Sequence, residues 1–180
     1  MAKKNKINLG TILIAVGFLF AIVSLICLAG AGITASVKVG GIAGTATYGL
    51  TGFLTGKHTI DTVLSAGGHS GSTHSTLEGG MSYFAIIALV LTVLGIIATI
   101  IGVVLKKKFI IVIGGILLLL SGISMFLLKV AGSNVGEIAF VDFFKGTEDL
   151  PFNLGAGAIC YGVFGLLSGL ITTAGAFIKK

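Results

Sequence analysis

Three histidines and two carboxylates lie in one short stretch of the chain and could hold a metal ion. They are His58, Asp61, His69, His74 and Glu78. Imidazole nitrogens and carboxylate oxygens are ligands that zinc accepts. However, His69 and His74 lie five residues apart in a Gly-, Ser- and Thr-rich segment that offers no rigid scaffold. We therefore expect ordinary solvated histidines and no bound metal.

The same stretch contains serines beside histidines, which are the residue types of a nucleophilic enzyme. Hydrolysis would need a nucleophile, a base and a group that orients the base. Neither a GxSxG nor an HExxH motif occurs in the sequence, and no cofactor motif is present. We expect a protein that is not an enzyme and binds no cofactor.

The two cysteines, Cys27 and Cys160, both fall inside apolar runs. A thiol in such a run usually packs as a small apolar group, and neither cysteine has a metal-binding spacing. A disulfide between the two is the alternative. No further cysteine is present to build a disulfide framework.

The elements that must position these residues are strongly apolar. Of the 180 residues 55% are hydrophobic and only 10% are charged, with a mean hydropathy of +1.12. Soluble domains carry about 25% charged residues, so lipid must be the solvent for most of this surface. All twelve basic residues are lysine. The absence of arginine argues against a nucleic-acid partner, because bidentate contacts to phosphate and guanine favour arginine.

Four apolar runs are each long enough to cross a ~30 Å hydrocarbon core as a helix. They cover residues 7–30, 81–105, 109–128 and 152–178. The first run resembles a signal peptide at its basic head, but it exceeds the ~7–15 apolar residues of such a peptide, so we expect a retained helix. Residues 106–108 alone join the second and third runs, which predicts an antiparallel hairpin. We expect one membrane domain over residues 1–180, an all-α transmembrane four-helix bundle.

The lysines assign an orientation to this bundle. Eight lysines and no acids flank the runs at residues 1–6, 106–108 and 179–180. All six acids lie in the loops 31–80 and 131–151, and on that same side are only four lysines, Lys38, Lys57, Lys129 and Lys145. Lysine-rich flanks stay in the cytoplasm. The pattern predicts a multi-pass protein of the plasma membrane, with both termini cytoplasmic and the lysines against anionic lipid headgroups.

Four of the acids form a cluster in the second outer loop. They are Glu137, Asp142, Glu148 and Asp149. The cluster could bind calcium or a basic partner, although its spacing is not that of an EF-hand. A solvated acidic rim is the simpler interpretation, because lysines are drawn to the other side of the membrane.

The first outer loop has the pattern of β-structure. Residues 33–39 and 42–54 contain alternating and β-branched positions around a Gly-Gly pair, which predicts an extracytoplasmic β-hairpin or small sheet. Residues 59–66 could form a third strand or a short helix. Residues 67–80 are rich in Gly, Ser, Thr and His and indicate a mobile linker. In the second loop, residues 135–144 are apolar enough to pack on the sheet or lie at the membrane interface.

Small residues recur at helical spacing inside the runs and predict close helix packing. The candidates for a packing or oligomer face are Gly17, Ala21, Ala88, Thr92, Gly95, Gly102, Gly162, Gly165 and Gly169. Packing within one bundle and self-association between copies are both open. No charged residue interrupts any run, which argues against ion-coupled transport.

The order of elements resembles that of the tetraspan claudin-like proteins. Both have an inner N-terminus, a long first outer loop with strands, a tight inner turn, a shorter second outer loop and an inner C-terminus. The resemblance is one of topology, since the chain has no Trp and no cysteine in its first outer loop, and no functional residue is carried over. It implies a β-sheet over the outer ends of a left-handed bundle, and lateral polymerisation.

We therefore expect a structural membrane protein that self-associates laterally, through small-residue faces and outer strand edges. One alternative is an accessory subunit that binds a membrane-protein partner in a larger transport or secretion complex. Another is a small oligomeric channel or carrier whose pore is lined by hydroxyl groups.

Overall fold

A computed structural model describes residues 8–39, 41–129 and 152–178. Within them, four helices are long and apolar enough to cross a membrane. They are α1 (Leu9–Ile26), α3 (Tyr83–Val104), α4 (Lys108–Phe126) and α5 (Ala156–Phe177), and α2 (Gly52–Thr55) is a single turn. The four predicted apolar helices are thus present, and the chain has the character of a multi-pass membrane protein.

The described part of the chain also contains one small antiparallel sheet. Its strands are β1 (Ala31–Val39), β2 (Ile42–Gly49), β3 (Lys57–Ala66), β4 (His69–Glu78) and β5 (Phe152–Leu154), in the order β4-β3-β2-β1-β5. The predicted hairpin is confirmed as β1 and β2, although β2 ends at Gly49. Of the two alternatives for residues 59–66, the strand is correct.

Two sequence-based predictions are wrong. Residues 67–80 were predicted as a mobile linker, but β4 pairs with β3 from Lys57 opposite Glu78 to Ala66 opposite His69. Residues 67 and 68 form the tight turn before it, where φ of +57° and +85° requires glycine. Residues 152–154 were predicted as the start of the last helix, but they form β5 on β1, and the helix begins at Ala156.

The turn between α3 and α4 forms as the lysine triplet predicts. The Lys106 N–H donates to Val103 O at 3.2 Å, and the Lys107 N–H donates to Gly102 O at 2.9 Å. These two bonds close the helix end in a Schellman motif. Lys106 takes the left-handed position with φ of 54°, where glycine is the usual residue. The motif reverses the chain within three residues and makes α3 and α4 antiparallel neighbours.

The helices pack in the order α3, α4, α5, α1. The middle helices α4 and α5 each contact two neighbours, whereas α1 and α3 share few contacts and leave a seam between them. Large apolar side chains such as Leu94, Leu120 and Leu170 lie exposed on the outer surface, where lipid would cover them.

Close backbone approach holds these helices together. A Cβ added at Gly169 would lie 2.6 Å from both Gly115 O and Leu119 N, and one at Gly17 would lie 3.0 Å from Ser168 O. All nine small residues of the predicted packing or oligomer face are buried between helices of the same chain. These small residues therefore allow close helix packing within one bundle.

The sheet covers one end of the bundle and shares a single apolar core with it. Sheet residues Ile33, Tyr48 and Ile60 pack in one buried cluster with the helix residues Ala85, Met125 and Tyr161. Strand and helix join directly on both sides, since β1 follows α1 after one 3-10 turn and β5 precedes α5 by one residue. The position and tilt of the sheet are thereby tied to the helices.

Replacing Gly169 with Ala should destabilise the protein by about 1–3 kcal/mol, because the added methyl group must push apart two helix backbones. Thermal unfolding in detergent measures the effect. The matched control is Leu170→Ala, which trims a neighbouring side chain that is 56% exposed and should change stability little. Equal unfolding temperatures for the two variants would contradict the close α4–α5 contact.

Candidate functional site

The open edge of the sheet is the most accessible feature of the fold. Among the described residues, β4 pairs only with β3, so its other side presents unpaired backbone N–H and C=O groups. Residues 69–76 are all exposed. The strand contains neither lysine nor proline, the residues that commonly block pairing at an edge. The outward-pointing backbone groups of β4 are therefore open to a further strand.

The face of the sheet that points away from the helices is covered with hydroxyl groups. Residues opposite each other on antiparallel strands share a face. Two cross-strand rows on this face are Thr34–Thr47–Asp61–His74 and Ser36–Thr45–Val63–Ser72. Asp61 and His74 form an ion pair or hydrogen bond between β3 and β4 in which both side chains are largely exposed. Apart from the exposed Val63, the residues of these two rows are polar up to the open edge.

The structure separates the three histidines. His69 and His74 are exposed on β4, but His58 is only 1% exposed, so the prediction that it is solvated is wrong. Strand pairing turns its side chain inward, where Nε2–H donates to Gly80 O at 3.0 Å and the ring lies edge-on to Phe53. Within the described ranges, no three His, Cys, Asp or Glu side chains form a metal-binding group.

Tyr48 lies beside His58 in the same junction between sheet and helices, with the two rings 6.4 Å apart. Burial raises the pKa of the Tyr48 phenol. The phenol of Tyr48 therefore stays neutral at physiological pH.

A cluster of hydroxyl groups joins three helices in the middle of the bundle. The Tyr161 hydroxyl lies 2.7 Å from Thr92 Oγ1 and 3.1 Å from Ala88 O, and Ser121 Oγ donates to Ala88 O at 2.8 Å. A separate bond from Ser168 Oγ to Gly17 O, at 2.6 Å, joins α5 to α1. These groups face the interior of one bundle and are not on the surface that neighbouring copies would share.

The end of the bundle opposite the sheet contains a cavity of about 270 Å³. Its walls come from the start of α1, the end of α3, the α3–α4 turn and the end of α5, and include Thr11, Ile14, Val103, Lys106 and Lys108. Two helix N-termini and two C-termini meet here, so their dipoles offset each other in pairs. The two lysines therefore give the cavity a positive charge, which favours an anion.

The acidic cluster of Glu137, Asp142, Glu148 and Asp149 lies outside the described residues, as does the apolar segment 135–144. The sequence pattern missed the cavity, because its wall combines residues from four distant segments. It also missed the open edge, since β4 was assigned to a linker.

No model of a known protein family matches this chain, and no curated protein sequence matches it. The edge, the outer face and the cavity are therefore the features of the molecule that point to a function.

Replacing Tyr161 with Phe should destabilise the bundle by roughly 0.6–1.7 kcal/mol, the range measured for hydrogen bonds between membrane helices. The ring still fills its space, while the bonds to Ala88 and Thr92 are lost. The matched control is Tyr83→Phe, at a side chain that is 81% exposed. Chemical or thermal unfolding in detergent compares them, and a larger loss for the control would contradict the role of the hydroxyl cluster.

Proposed function

We propose that this protein is a non-enzymatic structural protein of the plasma membrane that self-associates laterally. In this proposal β4 of one copy adds to a sheet edge of the next, outside the membrane. The observation that carries the proposal is the edge of β4, which among the described residues pairs only with β3, is exposed at residues 69–76 and contains neither lysine nor proline. Membrane-inserted copies share one orientation, so their edges meet at the same height.

The lysines support the orientation in which the sheet is extracytoplasmic. Lys106, Lys107 and Lys108 lie at the end of the bundle opposite the sheet. Five more lysines, at positions 3, 4, 6, 179 and 180, are close in sequence to the first residue of α1 and the last residue of α5. By the positive-inside rule, this distribution of lysines supports a cytoplasmic position for this end. The claudin-like order of elements fits the same arrangement.

Strand edges support self-association better than small-residue helix faces do. The glycines of α5 already contact α4, and Gly17 of α1 contacts α5. The remaining outer helix surface consists of large apolar side chains, which gain little by leaving lipid for another apolar surface. An unpaired strand edge, in contrast, gains directional backbone hydrogen bonds when it meets a second edge.

Replacing Ser72 with Lys should weaken self-association, because a charge on the edge strand opposes pairing with a second copy. We expect a loss of about 1 kcal/mol, or roughly fivefold in the dissociation constant. The matched control is Thr45→Lys, which adds the same charge to the same cross-strand row but on the central strand β2. Native mass spectrometry of protein extracted gently from its membrane measures both variants.

Equal association of the Ser72→Lys and Thr45→Lys variants would show that β4 is not part of the interface between copies. A native mass that contains a second, different polypeptide and only one copy of this chain would instead support the accessory-subunit alternative.

Besides a second copy of the chain, the proposed partners include an anionic lipid headgroup at the cytoplasmic end. The cavity offers Lys106 and Lys108 to a phosphate group. Ile14 and Val103 line the same cavity from α1 and α3, the two helices that leave a seam between them. A lipid whose headgroup binds the two lysines can thus place an acyl chain along the seam.

The double variant Lys106→Gln/Lys108→Gln should bind phosphatidylglycerol about 2 kcal/mol more weakly, or roughly thirtyfold, with about 1 kcal/mol for each lysine. Native mass spectrometry counts lipid adducts during titration, with phosphatidylcholine as the neutral comparison. Lys57→Gln, in β3 at the sheet end, is the protein control. Unchanged phosphatidylglycerol adducts in the double variant would exclude the cavity as the headgroup site.

A further inference from the structure

The two cysteines are far apart in sequence but meet at the sheet end of the bundle. Cys27 begins the 3-10 turn that follows α1, and Cys160 lies in the first turns of α5. Both are free thiols, and Gly30 and Gly157, three residues from Cys27 and Cys160 respectively, are in direct backbone contact. We propose that Cys27 and Cys160 form an intramolecular disulfide in the native membrane.

Backbone contacts beside the two thiols bring the chain segments close enough for this bond. A Cβ added at Gly157 would lie 2.8 Å from Cys27 O, and one added at Gly30 would lie 2.9 Å from Gly157 Cα. Cys160 follows Gly157 by three residues and so lies on the same side of α5. A disulfide needs Cα atoms about 4.4–6.8 Å apart, which only segments in direct contact can provide.

The β1–β5 pairing fixes the two segments in register. Ile33 lies opposite Leu154, and the Gly155 N–H donates to Gly32 O at 2.8 Å. The chain thus runs side by side from the strands into the cysteine-bearing turns.

The difference in exposure between the two thiols indicates which of them reacts first. Cys160 is exposed and Cys27 is half-buried. The Cys160 thiolate attacks a donor disulfide, such as a small-molecule or protein disulfide, and displaces one thiol. The Cys27 thiolate then attacks Cys160 Sγ of the mixed disulfide and displaces the second thiol. Two S–H bonds are lost and one S–S bond forms here, while the donor disulfide takes up the two electrons and two protons.

The inference rests on the proposed orientation, because disulfides persist on the outer side of the membrane and not in the cytoplasm. The oxidant then reaches Cys160 at the outer boundary of the bilayer. The disulfide would covalently join the end of α1 to the start of α5.

The test uses the full chain in isolated membranes, denatured in excess N-ethylmaleimide and weighed as intact protein. We expect no maleimide adduct before reduction and two adducts after it, in a monomeric chain. The variants Cys27→Ser and Cys160→Ser should each carry one adduct without reduction. Two adducts on most wild-type chains before reduction, or a disulfide that links two chains, would overturn the proposal.

A second measurement tests whether the two thiols are close enough to bond, independently of the redox conditions of the cell compartment. Purified, reduced protein in nanodiscs is treated with oxidised glutathione. Wild-type protein should lose two hydrogen atoms and keep no glutathione, whereas Cys27→Ser should retain one glutathione on Cys160. Retention of glutathione by the wild-type protein would overturn the pairing. Association through β4 involves neither cysteine, so the comparison of the Ser72 and Thr45 variants tests the proposed function independently.

Discussion

Helices in lipid cannot gain much by hiding apolar side chains from water, so this bundle depends on how closely backbones can approach. Glycine provides that approach at each strong helix contact. Gly169 lies against Gly115, and Gly17 lies against the turn of α5 that contains Ser168. The interhelical hydroxyl bonds form only because the backbones are this close. A side chain of even one carbon at these positions would separate the elements that carry the sheet, the cavity and the cysteines.

The sequence was informative where one physical signal dominated. Four long runs without charge could only be membrane helices, and three lysines between two of them left room only for a tight turn. The signal failed where two structures share a composition. An edge strand that is solvated on both faces has no apolar alternation, so β4 has the same Gly-, Ser- and Thr-rich pattern as a linker. Residues 152–154 continue an apolar run, and only their pairing with β1 distinguishes them from helix.

The candidate sites were harder to predict than the fold, since each one combines residues from distant segments. The spacing of the small residues predicted close packing, but it could not show whether the neighbouring helix belongs to the same chain or to another copy. His58 has no sequence feature that separates it from His69 and His74. Its burial follows from the register of β3 against β4 and from the helix packed beneath it. Register and long-range pairing are tertiary properties that one sequence does not display.

The packing of α1 on α5 has a consequence for how the protein is made. Of the described helices, α1 is synthesised before α3, α4 and α5, yet its main neighbour is α5, and β1 can pair with β5 only after the residues between them have been synthesised. The α3–α4 hairpin, in contrast, can close as soon as its own residues have emerged. During biogenesis the glycine face of α1 therefore stays uncovered in the bilayer until α5 is inserted. Insertion of α5 then completes the bundle and the sheet in the same step.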